Sequence, residues 1–263
     1  MLFSETLASI RPHGAGVSAV IGEDWSQGRA TFGGLVAALG NEAMRRLVPA
    51  ARALRGLETT FVGPAPAGDV RIDAEVLRVG KTVTVAGARL SSDGKAAATL
   101  TGVYGAARAT ALTITPAVAP GLPRAEELPD PNVPGMGGPS FLRHFDFRWA
   151  EGTPPFSASP LRTSKIYVRH RDTAPLSESH LVALIDCIPS VILQLLSAPT
   201  PSSSLTWSVQ FLGHHDGFAT DAWWRIDAEV NSAGEGYSCE SCVLLDPNGA
   251  PAAIARQMVA VFG

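Results

Sequence analysis

Cysteine is scarce. Cys187, Cys239 and Cys242 are the only three in 263 residues, which excludes a disulfide framework and fits a reducing compartment. An excess of basic charge is also missing. Lys and Arg number 21 against 24 Asp and Glu, a net charge of −3, so no overall positive field exists to recruit nucleic acid. No apolar run reaches the roughly eighteen residues of a membrane span. The charge-free stretch from Cys187 to Gly213 is broken by Pro189, Gln194, Pro199, Pro201 and several serines. The first ten residues lack a basic start followed by an apolar run, so no signal peptide is expected and the cytoplasm is the expected location. Gly-x-Ser-x-Gly, His-Glu-x-x-His, Walker A and Gly-x-Gly-x-x-Gly are all absent, which argues against a nucleophile elbow, a zincin and a nucleotide loop. With 46% hydrophobic and 17% charged residues, the chain suits a well-buried globular core.

What is present is a repeat. Arg-Ile-Asp-Ala-Glu-Val occurs at 71–76 and again at 225–230. Its alternation is that of a half-buried antiparallel strand, with Ile72, Ala74 and Val76 inward and Arg71, Asp73 and Glu75 outward. The surroundings repeat as well. Phe61 precedes the first copy and Phe211 the second, each followed closely by Gly (Gly63, Gly213). Gly turns follow each copy, and Asp93-Gly94 and Asn248-Gly249 each introduce a last strand. An apolar stretch of helical length lies upstream of each block, Gly33–Leu47 and His180–Leu196. The first is apolar all round in its opening turns and should be enclosed. The pattern is a duplicated unit of helix followed by antiparallel meander.

In chain order, a strand is expected at Val17–Ile21, then the first helix, then strands near 56–63, 69–79, 82–92 and 95–106. From 108 to 141 the chain is rich in Pro and Gly and keeps no period, so it reads as a linker across the surface. Strands at His144–Trp149 and Ile166–Arg169 open the second half, the former matching the opening strand of the first. The expected division is 1–107, 108–141 and 142–263.

One residue stands out on physical grounds. Asp186 follows Leu-Val-Ala-Leu-Ile and precedes Cys-Ile-Pro, and a carboxylate among apolar neighbours tends to have a raised pKa. Alternatively it caps a helix that starts at Cys187. Gln257, in the last strand, can donate and accept, or is simply an outward polar residue.

A mainly apolar helix wrapped by an antiparallel sheet, built twice, resembles the hotdog fold. The double form resembles the acyl-CoA thioesterase II (TesB-type) and thioesterase-like superfamily. The resemblance rests on Phe32-Gly33-Gly34, Phe61-Val62-Gly63-Pro64, Asp186, Phe211-Leu212-Gly213 and Gln257, in that order. It implies an α+β fold of two tandem antiparallel sheets, an acyl-CoA substrate and hydrolysis of its thioester without cofactor or metal. In that family a helix Asp, a strand hydroxyl and a last-strand Gln hold the attacking water. The Asp and Gln carry over to Asp186 and Gln257. The hydroxyl falls on Ser204, with Thr206 as second candidate on the same strand face. The first-half counterparts are then Gly40, with Asn41 and Glu42 nearby, and Thr99.

A thiol leaving group, with a pKa near ~8.5, needs little acid assistance, so a positioned base and water suffice. Gly33-Gly34 at a helix start can offer an oxyanion N–H or simply permit close packing. Arg169, with His170 and Arg171, is either a contact for coenzyme A phosphates or a solvated strand end. Cys239-Glu-Ser-Cys242 reads as structural, His214-His215-Asp216 as an exposed loop, and one of Trp223 and Trp224 faces inward. The competing functions are a non-catalytic acyl-CoA or acyl-carrier binding protein and a hotdog dehydratase or hydratase. A homo-oligomer, dimer or higher, is expected from exposed sheet edges, and neither nucleic acid nor membrane is expected as a partner.

Overall fold

The computed structural model describes residues 1–131, 137–213 and 217–262. The chain opens with a short helix, α1 (Phe3–Ala8), two strands, β1 (Arg11–His13) and β2 (Gly16–Ile21), and a small ribbon of β3 (Ser26–Gln27) and β4 (Ala30–Thr31). The first central helix, α2 (Gly33–Arg45), precedes a meander of β5 (Ala53–Phe61), β6 (Gly68–Val79), β7 (Val83–Ser92) and β8 (Lys95–Gly105). The second half contains β9 (Phe145–Glu151), β10 (Thr163–His170), α3 (Glu178–Ile185) and α4 (Ile192–Leu195). Its meander is β11 (Ser202–Phe211), β12 (Trp224–Gly234), β13 (Tyr237–Leu245) and β14 (Pro251–Val261).

Among the described residues, twelve strands form one antiparallel sheet in the order β1-β2-β6-β7-β8-β5-β11-β14-β13-β12-β10-β9. The order reads the same outward from its middle, so the repeat in sequence is a repeat in space. The two expected sheets are joined edge to edge where β5 pairs with β11, Leu57 opposite Val209. That pairing removes one exposed edge from each half. The strand equivalent to β2 is β10, and β9 matches β1, so the opening strand of the second half lies one strand later than its sequence position suggests.

The repeated hexapeptide occupies β6 and β12, equivalent strands. Ile72 and Ile226 are fully buried, as the alternation requires. Val76 is exposed while its equivalent Val230 is buried, although a bulge lies just beyond each. Each copy closes the same ion pair, Arg71 to Asp73 at 2.9 Å and Arg225 to Asp227 at 2.7 Å. Only the second is covered: the linker crosses it, and Arg225 also donates to the carbonyl of Pro120 at 3.1 Å. The tight turns carry positive φ where the strands need it, at Asp93-Gly94 and Glu235-Gly236.

Helix α2 is buried along nearly its whole length, as its uninterrupted apolar surface demands. It packs antiparallel against α3. At one end Asn41 donates to the Ser179 hydroxyl at 2.9 Å, and Ser179 donates to Glu42 at 2.6 Å. At the other end Gly34 meets Ala183, and a Cβ on Gly34 would lie 3.0 Å from the Ala183 carbonyl oxygen and 2.5 Å from the Phe32 ring. Close packing is therefore one real reason for glycine there. The long helix expected at His180–Leu196 is two short ones. Pro189 lies in the break, where its missing N–H and fixed φ interrupt the helical ladder. No helix among the described residues is long and apolar enough to cross a membrane.

Candidate active site

The break between α3 and α4 leaves Asp186 as the C-cap of α3, with φ −101° and ψ −5°. The expected cap of a helix starting at Cys187 is thus overturned, since no helix begins there. A carboxylate at a helix C-terminus faces the negative end of that helix. Here the N-terminus of α2 compensates. The backbone N–H of Gly34 hydrogen-bonds the Asp186 carboxylate, and a Cβ on Gly33 would lie 3.0 Å from its Oδ2 and 3.1 Å from the Phe61 ring. Burial pushes the Asp186 carboxyl up to about 7, and the Gly34 N–H pulls it in the opposite direction. The residue still keeps some accessible surface because it forms part of a cavity wall.

That cavity, about 30 Å³, is lined by Asp186 with Ile185, Trp207, Glu240, Cys242 and Gln257 among others. It has room for an ordered water and polar groups to hold one. Gln257 gets there because it faces Trp207 across the β11–β14 ladder, sharing the inward face. Its carboxamide oxygen accepts from the Ser204 hydroxyl at 3.3 Å, and its Nε2 donates to Glu240 at 3.4 Å. Ser204 therefore acts on Gln257 and is not itself part of the cavity wall.

Thr206 is a correction. Ser204 pairs with Val259 and Thr206 with Met258, so Leu205 is a bulge residue. The extra residue reverses the alternation, and Thr206 is exposed on the outer face while Ser204 turns inward. Two serines or threonines two apart share a face only on a regular strand. Arg169 is not brought to the cavity. It donates to Asp146 at 2.8 Å and lies 4.5 Å over the Trp223 ring, and Arg171 donates to the same carboxylate at 2.7 Å. Trp224 is fully buried and Trp223 is not, as their adjacency implies. Cys239 is exposed and Cys242 turns inward, both as free thiols, and burial pushes the Cys242 thiol up to about 12. His214, His215 and Asp216 lie outside the described residues. No cluster of metal-ligating side chains occurs among the described residues.

The first half holds the same scaffold with different chemistry. Phe61 pairs with Ala98 as Phe211 does with Ala253, and Leu57 pairs with Gly102 as Trp207 does with Gln257. Beyond a matching bulge, Leu54 pairs with Tyr104 as Ser204 does with Val259. Gly102, and not Thr99, is thus the counterpart of Gln257, because strand register and not sequence offset decides it. Asn41 replaces Gly40 as the counterpart of Asp186, since each lies nine residues past its helix N-cap, Phe32 or Ser177. The space is filled by Tyr104, whose hydroxyl donates to Asn41 Oδ1 at 2.8 Å. A Cβ on Gly102 would lie 2.7 Å from the Tyr104 ring.

Glu240 was not anticipated. It is 4% exposed and accepts hydrogen bonds from Ser190, Val191, Ile192, Ser238 and Gln257. Its sequence signal was available: Ser238, Glu240 and Leu244 share the inward register of β13, but the acid is screened from notice by the cysteines around it.

Comparison with known proteins gives a consistent family. The model of the acyl-CoA thioesterase N-terminal domain matches residues 21–105, and that of the acyl-CoA thioesterase C-terminal domain matches residues 121–261. A hotdog-fold protein from Alicyclobacillus acidocaldarius superposes with a TM-score of 0.88 at 20% identity, covering 99% of this chain and 98% of that one. The TesB protein of Mycobacterium avium subspecies paratuberculosis gives 0.81 at 17% identity, covering 99% and 100%. An acyl-CoA thioesterase II from Mycobacterium marinum gives 0.75 at 17%, covering 98% and 97%. At these identities the structures establish the double hotdog fold. None of the curated proteins matches the chain in sequence.

Proposed function

Because the chain belongs to the acyl-CoA thioesterase family, we propose that it hydrolyses an acyl-CoA thioester to the free acid and coenzyme A, with Asp186 as general base. The observation that carries this reading is the placement of Asp186 and Gln257 in the wall of one water-sized cavity, with the acid's pKa near 7. A base poised there is ionised in a useful fraction near neutral pH and still basic enough to take a proton. Water held by the Gln257 carboxamide gives its proton to Asp186 as its oxygen attacks the thioester carbonyl. The tetrahedral intermediate then collapses and the C–S bond breaks. The thiolate leaves without needing a strong acid, and Asp186 can return the proton.

In this reading Ser204 orients Gln257 from behind. The N-terminal end of α2, with Gly33, faces the developing oxyanion with its positive end, while the Gly34 N–H is already engaged by Asp186. A dehydratase or hydratase would need a histidine beside the acid. Among the described residues none lines the cavity, and the nearest candidate by helix, His180, is buried elsewhere against Phe3 and His170. The deciding experiment is thiol release across a panel of acyl-CoAs by wild type and Asp186→Asn. Turnover by wild type and loss in the variant supports the reading. Binding without turnover on any chain length replaces it with an acyl-CoA binding protein.

A further inference from the structure

We propose that Glu240 is a positioning residue for this reaction, fixing which end of the Gln257 carboxamide faces the cavity beside Asp186. The inference rests on the hydrolase reading and extends it to a residue on β13, the strand next to the one that carries Gln257.

Glu240 sits directly opposite Gln257 in the β13–β14 ladder, so the two side chains share the inner face. One carboxylate oxygen accepts from the hydroxyls of Ser190 and Ser238 at 2.6 and 3.1 Å and from the Ile192 N–H at 3.1 Å. The other accepts from the Val191 N–H at 2.9 Å and from Gln257 Nε2 at 3.4 Å. A carboxylate offers roughly four lone-pair sites, and these five donors crowd them. Glu240 thus serves as an acceptor for its neighbours, and that decides the orientation of Gln257.

A carboxamide looks nearly the same from either end, and Ser204 alone does not choose between them, because a hydroxyl both donates and accepts. Glu240 does choose. A flipped Gln257 would set its carbonyl oxygen against the carboxylate, buried and unpaired. With the observed orientation, Nε2 faces Glu240 and Oε1 faces Ser204. The second N–H of Nε2 is then available to hold a water oxygen. The same carboxylate also ties down Ser190, Val191 and Ile192, the segment that follows Asp186 into α4, and Pro189 and Val191 are cavity walls. One buried acid thus links the strand that carries Gln257 to the segment that follows Asp186.

The test pairs kinetics with a direct view of the amide. Side-chain 15N labelling of glutamine gives signals for Gln27, Gln194, Gln210 and Gln257, the last assigned by its loss in Gln257→Ala. The expected wild-type Gln257 signal is shifted and slow to exchange, and in Glu240→Gln, whose introduced fifth amide is told apart by the double variant with Gln257→Ala, it moves to the exchanging position of a free amide. On acyl-CoA, Glu240→Gln is expected to lower kcat by roughly 10- to 100-fold, the scale of a misplaced group, with KM within about 3-fold. In a Gln257→Ala background the same change is expected to cost less than about 3-fold, because the residue it positions is gone. Equal losses in both backgrounds, or an unchanged amide signal, overturn the proposal. If Glu240→Gln does not fold, Glu240→Asp, which keeps the charge and withdraws it from Gln257, is read by the same measurements. A wild type without turnover on any acyl-CoA defeats the hydrolase reading, and the amide signal alone then decides for or against Glu240.

Discussion

Asn41 and Asp186 occupy equivalent points on the two central helices, and only one of them can be a base. Each faces the opening turn of the opposite helix. Asn41 donates to Ser179, and Asp186 accepts from Gly34. With an amide at the position of Asp186 and Gly102 at that of Gln257, the first half lacks both groups to which the proposed function assigns proton transfer and water binding. The duplicated frame thus carries one candidate site.

The most direct consequence concerns Asp186→Asn. The substitution keeps shape and removes basicity, so kcat should fall by roughly 100- to 10,000-fold, the usual worth of a positioned base. In wild type the base must be ionised. kcat/KM should therefore rise about tenfold per pH unit below the Asp186 pKa of about 7 and level off above it. A profile flat from pH 5 to pH 8, on a substrate stable over that range, would remove Asp186 from the proton transfer.

The same shift makes a prediction about stability with the opposite sign to the usual carboxylate. The folded pKa, about 7, stands above the ordinary aspartate value of 3.8. Between those values the folded protein holds a proton that the unfolded chain has released, so stability falls as pH rises from about 4 to about 7. Asn has no such penalty. Asp186→Asn should therefore be more stable than wild type at pH 8, by on the order of 2–4 kcal/mol, and the gap should close towards pH 4. The accessible surface on the cavity wall favours the lower end of that range. Urea unfolding at pH 4.5 and pH 8 measures it, and a gap that widens on acidification would contradict the buried-acid account.

The bulge at Leu205 separates two hydroxyls that look interchangeable in sequence. Ser204→Ala takes away the donor to Gln257 Oε1 and should lower kcat by roughly 10-fold, the worth of about 1.4 kcal/mol. Thr206→Ala alters an exposed side chain on the outer face and should leave kcat within about 2-fold. The reverse ranking in a thiol-release assay would assign the inner-face hydroxyl to Thr206 and not to Ser204.

Much of this fold and site is legible in the sequence itself. The repeated hexapeptide, the apolar surface of α2, the lone acid in an apolar run and the Gln in the last strand each have a local physical signature. What was not readable depends on register and on contacts between distant segments. Thr206 assumes a regular strand, and the single-residue bulge at Leu205 defeats that count, whereas Thr99 stands three residues from Gly102, so the two last strands align by register and not by their ends. The break between α3 and α4 was signalled by Pro189, but the apolar run on both sides masked it. Helix α1 was missed because the opening residues show no period, although Phe3 is buried between Trp25, His170 and His180. Joining of the halves through β5 and β11 leaves no local trace, since both strands read as half-buried whether paired or at an edge.

The closed first half gives a further check on the asymmetry. Burial pushes the Tyr104 hydroxyl up from its ordinary value, so it is present as a donor at any ordinary pH. Tyr104→Phe keeps the ring that covers Gly102 and deletes only the hydrogen bond to Asn41 Oδ1. That oxygen is buried, and leaving it without a donor should cost about 1–3 kcal/mol of stability. Because the Asn41 side of the molecule has no base to position, kcat on acyl-CoA should stay within about 2-fold of wild type. A loss of activity larger than tenfold, in protein that remains folded at the assay temperature, would show that the first half takes part in the chemistry and that the single-site reading is incomplete.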